Sequence, residues 1–125
     1  MDKKYILSLD GGGVRTLSSI TFLKLLEKET GIKIHEKFDF FVGTSAGAIS
    51  CLALAVKRFS SRELEGMWGT PNLRKIMRTS TWETRLGLLQ AKPKYTNNGK
   101  REVLKNYFGR STLGEATKPV AVLSY

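Results

Sequence analysis

Residues 38–47 read Phe-Asp-Phe-Phe-Val-Gly-Thr-Ser-Ala-Gly, an apolar run that feeds straight into a G-x-S-x-G pentapeptide, Gly43 to Gly47. Few backbone paths accommodate that pattern. A serine driven toward positive φ is crowded by its own Cβ, and glycines two residues to either side let neighbouring backbone pass close by. The arrangement it predicts is a strand, a strained turn carrying Ser45, and a helix. The turn lifts the hydroxyl above the sheet edge. The helix N-terminus beneath it offers unpaired N–H groups and partial positive charge, both suited to an oxyanion. An ordinary tight strand-to-helix turn with a chance serine is the plainer alternative, and a second stretch weighs against it.

That stretch lies upstream. Tyr5 to Leu9 reads as a strand, ended by Asp10 and then Gly11-Gly12-Gly13. Beyond Val14-Arg15-Thr16, apolar residues at Leu17, Ile20, Leu23 and Leu26 recur with helical spacing. Gly31 closes that helix just behind Lys28. Residues 38–42 form the second strand, apolar nearly throughout, as expected where both faces are covered. Ala46, Ile49, Leu52, Ala53 and Val56 then give a second helix whose small residues suit close packing on a sheet. The order β-α-β-α predicts a right-handed crossover and two parallel, neighbouring strands. Both glycine loops then fall at the carboxyl ends of the strands, where open α/β sheets place their ligands. The triple glycine and Ser45 are expected to face each other there.

Other readings of these loops fit less well. Gly11-x-Gly13 opens a dinucleotide fingerprint G-x-G-x-x-G, but its last position is Thr16. The acid that should hold a ribose at the end of the second strand is missing, since Asp39 stands at that strand's beginning. No Gly-Lys-Ser/Thr follows the glycines, which excludes a phosphate loop of that type. His35 precedes the second strand, and at about 3.3 Å per residue it lies far beyond hydrogen-bond reach of Ser45. It reads as a surface histidine.

Asp10-Gly11-Gly12-Gly13-Val14-Arg15, followed about thirty residues later by Gly43-Thr44-Ser45-Ala46-Gly47, resembles the patatin-like phospholipase family in order, spacing and frame. The stretch from Tyr95 to Tyr125, with Leu104, Phe108-Gly109, Leu113 and Pro119-Val120, resembles the middle of that domain. The resemblance implies an α/β fold, a three-layer α/β/α sandwich with a mostly parallel sheet. It also implies a serine acyl hydrolase acting on membrane or storage lipid esters. Ser45 matches the nucleophile. Gly11, Gly12, Gly13 and Ala46 match the oxyanion hole, with the Gly12 and Gly13 N–H groups foremost, and Asp10, Arg15, Gly43 and Gly47 support the two motifs.

The family pairs its serine with an aspartate in a late Asp-Gly-Gly or Asp-Gly-Ala motif. Here Asp2, Asp10 and Asp39 are the only aspartates, and only Asp10 precedes a glycine. Val120 to Tyr125 reads as a strand with no following turn. The chain is therefore expected to be the N-terminal part of a longer domain, inactive alone, with its general base beyond residue 125. Thr16 stands where the family usually has glycine. The rival from another class is a non-catalytic lipid- or nucleotide-binding module that retains the elbow scaffold.

Charge adds one further expectation. Residues 1–70 carry ten Lys/Arg against eight Asp/Glu, whereas residues 71–125 carry eleven against three. Such a basic stretch is either a solvated face or a contact for an anionic membrane surface. No nucleic-acid motif accompanies it, so no nucleic-acid partner is expected. The absence of a long apolar run and the start Met1-Asp2-Lys3-Lys4 lead us to expect a cytoplasmic protein, peripheral at membranes where it meets lipid. The single cysteine, Cys51, falls on the helix after the elbow and reads as a buried structural thiol. No cofactor or metal is implied, because no His, Cys or carboxylate cluster has ligand spacing.

The middle of the chain is less regular. Ser60 and Glu63 form a capping box for a helix through Met67-Trp68, closed by Gly69-Thr70-Pro71. From Asn72 to Leu89 the pattern is mixed, with Ile76, Met77, Trp82, Leu86, Leu88 and Leu89 among basic residues, and suggests a helical lid or a packed helix. Lys92-Pro93-Lys94 breaks the chain. Asn97-Asn98-Gly99 reads as a turn into a helix at 100–108 closed by Gly109, and 120–124 as the third strand.

Overall fold

In a computed structural model that describes residues 2–76 and 97–123, the three apolar runs form one parallel sheet. Strand β1 is Ile6–Leu9, β2 is Phe40–Thr44 and β3 is Val120–Leu123, in the order β1-β2-β3. Ile6 lies opposite Phe40 and Leu9 opposite Gly43; on the other side of β2, Phe41 lies opposite Val120 and Thr44 opposite Leu123. The first two strands are parallel neighbours and the third joins them, as the sequence led us to expect. Residues 1–66 with 111–125 make one compact unit, and residues 67–110 make a second.

The second strand begins two residues later than its composition suggested. Asp39 explains the shift. Its backbone N–H donates to the Tyr5 carbonyl at 2.8 Å, and its carboxylate accepts from the Tyr5 N–H at 2.9 Å. That second bond holds the Asp39 carboxyl below the usual carboxylate range. The strand therefore extends to Thr44, so the first two residues of the pentapeptide are strand and not turn. Phe41 and Gly43 are buried with Leu7 and Leu9, whereas Phe40, Val42 and Thr44 are half-buried and Ile6 is 64% exposed. One face of β1 and β2 is covered, where the apolar run had suggested two, and Val122 and Leu123 of β3 are exposed.

Helix α1 (Thr16–Thr30) ends at Gly31, whose φ of 67° is left-handed and whose N–H donates to the Glu27 carbonyl. Its buried face is Thr16, Ile20 and Leu23, with Leu17 turned outward. Glu27 continues that face at helical spacing. One of its carboxylate oxygens accepts from the N–H groups of Ile34 (3.0 Å) and Ser61 (3.2 Å), the other from the Ser61 hydroxyl (2.6 Å). This single side chain ties the end of α1 to the start of α2 (Ile34–Lys37) and of α4 (Ser61–Met67).

Burial works against the charge on Glu27, but the Ser61 and Ile34 donors and nearby Lys33 outweigh it and lower its pKa below 4.5. A carboxylate depressed by folding stabilises the fold above its unfolded pKa and loses that contribution as pH falls through the folded value. Glu27→Ala is therefore expected to cost about 2–4 kcal/mol at neutral pH, a charged group with three donors being lost. Urea melts stepped down from pH 7 should show the wild-type advantage over the variant shrinking only below pH 4.5. A constant difference between them across that range would remove the charge from the account.

Helix α3 (Ala46–Lys57) packs across all three strands, with Ala48, Cys51, Ala53, Leu54 and Ala55 buried. The predicted capping box opens α4: the Ser60 N–H donates to the Glu63 carboxylate at 2.7 Å and the Glu63 N–H to the Ser60 hydroxyl at 3.2 Å.

In the second unit, two expected breaks turn out to be helix starts. Helix α5 (Thr70–Ile76) begins directly after Gly69, with Pro71 in its first turn, where a missing N–H has no intrahelical partner to lose. Helix α6 (Asn97–Phe108) includes Gly99 in its first turn, and Gly109 at φ 56° follows it. A Cβ on Gly99 would lie 2.0 Å from the Lys75 carbonyl oxygen, so this glycine serves the packing of α6 on α5. The Asn72 side chain joins the pair by donating to the Tyr107 hydroxyl at 3.1 Å. The expectations for Met77, Trp82, Leu86, Leu88, Leu89 and the Lys92-Pro93-Lys94 break lie outside the described residues.

Candidate active site

Ser45 joins β2 to α3 with φ 55° and ψ −123°, a backbone conformation that L-residues rarely adopt. Holding a non-glycine residue there costs on the order of 1–3 kcal/mol, and it persists only where the surroundings fix it. Gly43 and Gly47 supply that fixing. A Cβ on Gly43 would lie 2.6 Å from the Ala48 nitrogen and the Gly47 carbonyl, so its absence lets the first turn of α3 fold back on the strand. A Cβ on Gly47 would lie 2.0 Å from the Leu9 carbonyl oxygen and 2.8 Å from that of Asp10. The helix thus rests on the carboxyl end of β1. The Ser45 hydroxyl makes no capping bond to the helix, and the residue is exposed.

The same close approach brings the triple glycine to the serine. A Cβ on Gly11 would lie 2.9 Å from Ser45 Cβ and 3.6 Å from its Oγ. Gly12 (φ 142°) and Gly13 (φ 57°) then turn the chain by left-handed conformations into a short 3₁₀ turn, Gly13–Arg15, ahead of α1. The N–H groups of Gly12, Gly13 and Ala46 find no acceptor among the described residues. Free N–H donors at a helix start and in a glycine turn are of the kind that can receive an anionic oxygen.

The remaining candidates fall around this pair of loops. Asp10 and Arg15 are exposed, without an ion pair among the described residues, and a Cβ on Gly12 would touch the Arg15 side chain at 3.3 Å. Thr16 is buried at the first turn of α1. Cys51 is buried, donates its S–H to the Val42 carbonyl at 3.2 Å, and has its pKa pushed by burial to about 12, so it is a packing residue. His35 sits on α2, before β2 begins, and Ser45 follows the last residue of that strand. No three His, Cys, Asp or Glu side chains among the described residues are grouped as a metal site would need.

With this geometry in view, the family model described as Patatin-like phospholipase matches residues 7–124. The chain belongs to the patatin-like phospholipase family. It is 40% identical over 72 residues to phospholipase A I of Arabidopsis thaliana, an alignment covering 58% of this chain and 5% of that protein. It is 33% identical over 118 residues to a cGAMP-activated phospholipase of Pseudomonas aeruginosa, covering 94% of this chain and 35% of the relative. A third relative, the 85/88 kDa calcium-independent phospholipase A2 of Rattus norvegicus, is 31% identical over 121 residues, covering 96% and 13%. The chain thus spans about a third or less of the length of these curated relatives.

Within this patatin-like frame, both loops named from the sequence lie at the carboxyl ends of β1 and β2. Gly11 abuts Ser45, a closeness that the pattern of three glycines does not by itself specify. The contact of Gly47 with Leu9 was also missed. Its only signal was the run of small residues around it, Ala46 and Ala48.

Proposed function

We propose that this patatin-like chain carries the nucleophile and oxyanion hole of a serine lipid acyl hydrolase, phospholipase- or lipase-like in its reaction. The observation that carries the proposal is Ser45 at φ 55°, exposed between a strand and a helix and abutting Gly11. In this reading the Ser45 oxygen attacks the ester carbonyl of a lipid or phospholipid. Its proton passes to an aspartate supplied from outside residues 1–125, as the other half of a Ser–Asp dyad. The Gly12, Gly13 and Ala46 N–H groups receive the carbonyl oxygen as it becomes negative, each such donor being worth about 3 kcal/mol of barrier height. The alcohol leaves, and water then releases the acyl group from Ser45.

The substrates are ester lipids met at a membrane or storage surface, with the basic region 71–125 as the contact for an anionic membrane. The three relatives, all named phospholipases, support that substrate class. Among the described residues no helix is long and apolar enough to cross a membrane. A fluorophosphonate probe applied to the full-length protein is expected to label the peptide containing Ser45, because only an activated serine reacts. Lipid binding without labelling would instead mark a binding module that retained the elbow.

A further inference from the structure

The second unit presents exposed cations that form no ion pair among the described residues. On α6 the inward face is Val103, buried, with Tyr107 half-buried. Arg101 and Lys105 stand four residues apart on a different face, both exposed, so two like charges lie side by side on one helix. Such a pair weakens a helix, and no acid among the described residues pairs with either. Glu102, the acid of α6, is taken by Lys75 of α5 at 2.6 Å. Lys100, Arg110 and, on α5, Arg74 are also exposed, and none of these five cations has an ion pair among the described residues. The packing explains Lys75 and leaves the other five without an ion-pair partner among the described residues.

We propose that this face of α6, with Arg101 and Lys105 at its centre, docks the protein on a bilayer containing anionic phospholipid. The inference rests on the lipid-hydrolase reading for its choice of partner, and on unpaired positive charge for its location. Cations near an anionic bilayer strengthen partitioning by about fivefold each, within a Debye length of the surface. An enzyme whose substrate is embedded in that surface gains local concentration from such a contact without any change at the serine.

The test is co-sedimentation of the full-length protein with vesicles of phosphatidylcholine plus phosphatidylglycerol. Arg101→Gln with Lys105→Gln is expected to lower partitioning by about thirtyfold. High salt should do the same to the wild type, and vesicles of phosphatidylcholine alone should bind neither. Lys3→Gln with Lys28→Gln removes the same charge from exposed positions in the first unit and should leave binding within about twofold. Arg101→Lys should retain it. Hydrolysis of a soluble short-chain ester should be equal in all these variants, which separates this proposal from the role of Ser45. Unchanged partitioning in the double glutamine variant, or an equal loss in the Lys3/Lys28 variant, would overturn it. So would tighter binding to duplex DNA abolished by the same substitutions, which would assign the face to nucleic acid.

Discussion

Ser45→Ala in the full-length protein is expected to lower lipid-ester turnover by about four to six orders of magnitude while leaving the fold intact. The serine contributes its oxygen and little else: the residue is exposed and its hydroxyl caps no backbone N–H. Alanine keeps the Cβ and hence the strain at φ 55°, so circular dichroism and the denaturation midpoint should match the wild type. Ser45→Gly separates the two properties. It should be equally inactive but more stable by about 1–2 kcal/mol, because glycine adopts that conformation without strain. Ester hydrolysis retained in the alanine variant would remove Ser45 from the mechanism.

Gly47→Ala should damage the fold and the site together. Two effects oppose each other. Alanine favours a helix by about 1 kcal/mol over glycine. Against that, its Cβ would lie 2.0 Å from the Leu9 carbonyl oxygen. Both atoms are tied to backbone, so no rotamer change relieves the overlap, and α3 must move off the end of β1. Overpacking of this kind costs about 3 kcal/mol or more, so the steric effect wins. The displacement also draws Ser45 away from Gly11, so fluorophosphonate labelling should fall with the urea midpoint. Gly66→Ala is the matched control, a helical glycine on α4 with nothing within 4 Å of an added Cβ, and should be neutral or mildly stabilising. A Gly47→Ala protein as stable and as readily labelled as the wild type would show that the helix does not depend on this approach.

Much of this architecture was legible because steric rules act over a few residues. G-x-S-x-G after an apolar run admits a strained turn, and the strand-helix-strand order then fixes parallel pairing and brings two loops to one end of the sheet. Gly31 and the Ser60–Glu63 box were readable for the same reason. What escaped depends on the partner across space. Leu17 and Thr16 differ by one position, and hydropathy favours the leucine, yet the rotation of α1 buries the threonine. Asp39 looked like part of an apolar strand until Tyr5 was seen to occupy both its N–H and its carboxylate. Gly99 carries the composition of a break, and its place in the first turn of α6 reflects the nearness of Lys75 on α5; Pro71 suits a helix start as well as a break, and composition alone does not decide between them. At the site, residue types were legible, but the close approach of Gly11 to Ser45 was not, because that depends on how far α3 can settle onto β1.

The strand register carries a consequence for the order in which the molecule takes shape. The pairing that brings the two glycine loops together joins Ile6 to Phe40, 34 positions apart, whereas the pairing of β3 joins Phe41 to Val120 across 79. Closing the longer segment costs roughly 0.7 kcal/mol more in chain entropy. It also has to wait until that much more polypeptide has left the ribosome, where N-terminal segments are the first available to fold. The close approaches described around Ser45, at Gly11, Gly43 and Gly47, fall within the shorter closure and the turn that follows it. The surroundings of Ser45 are thus set by residues that leave the ribosome ahead of β3.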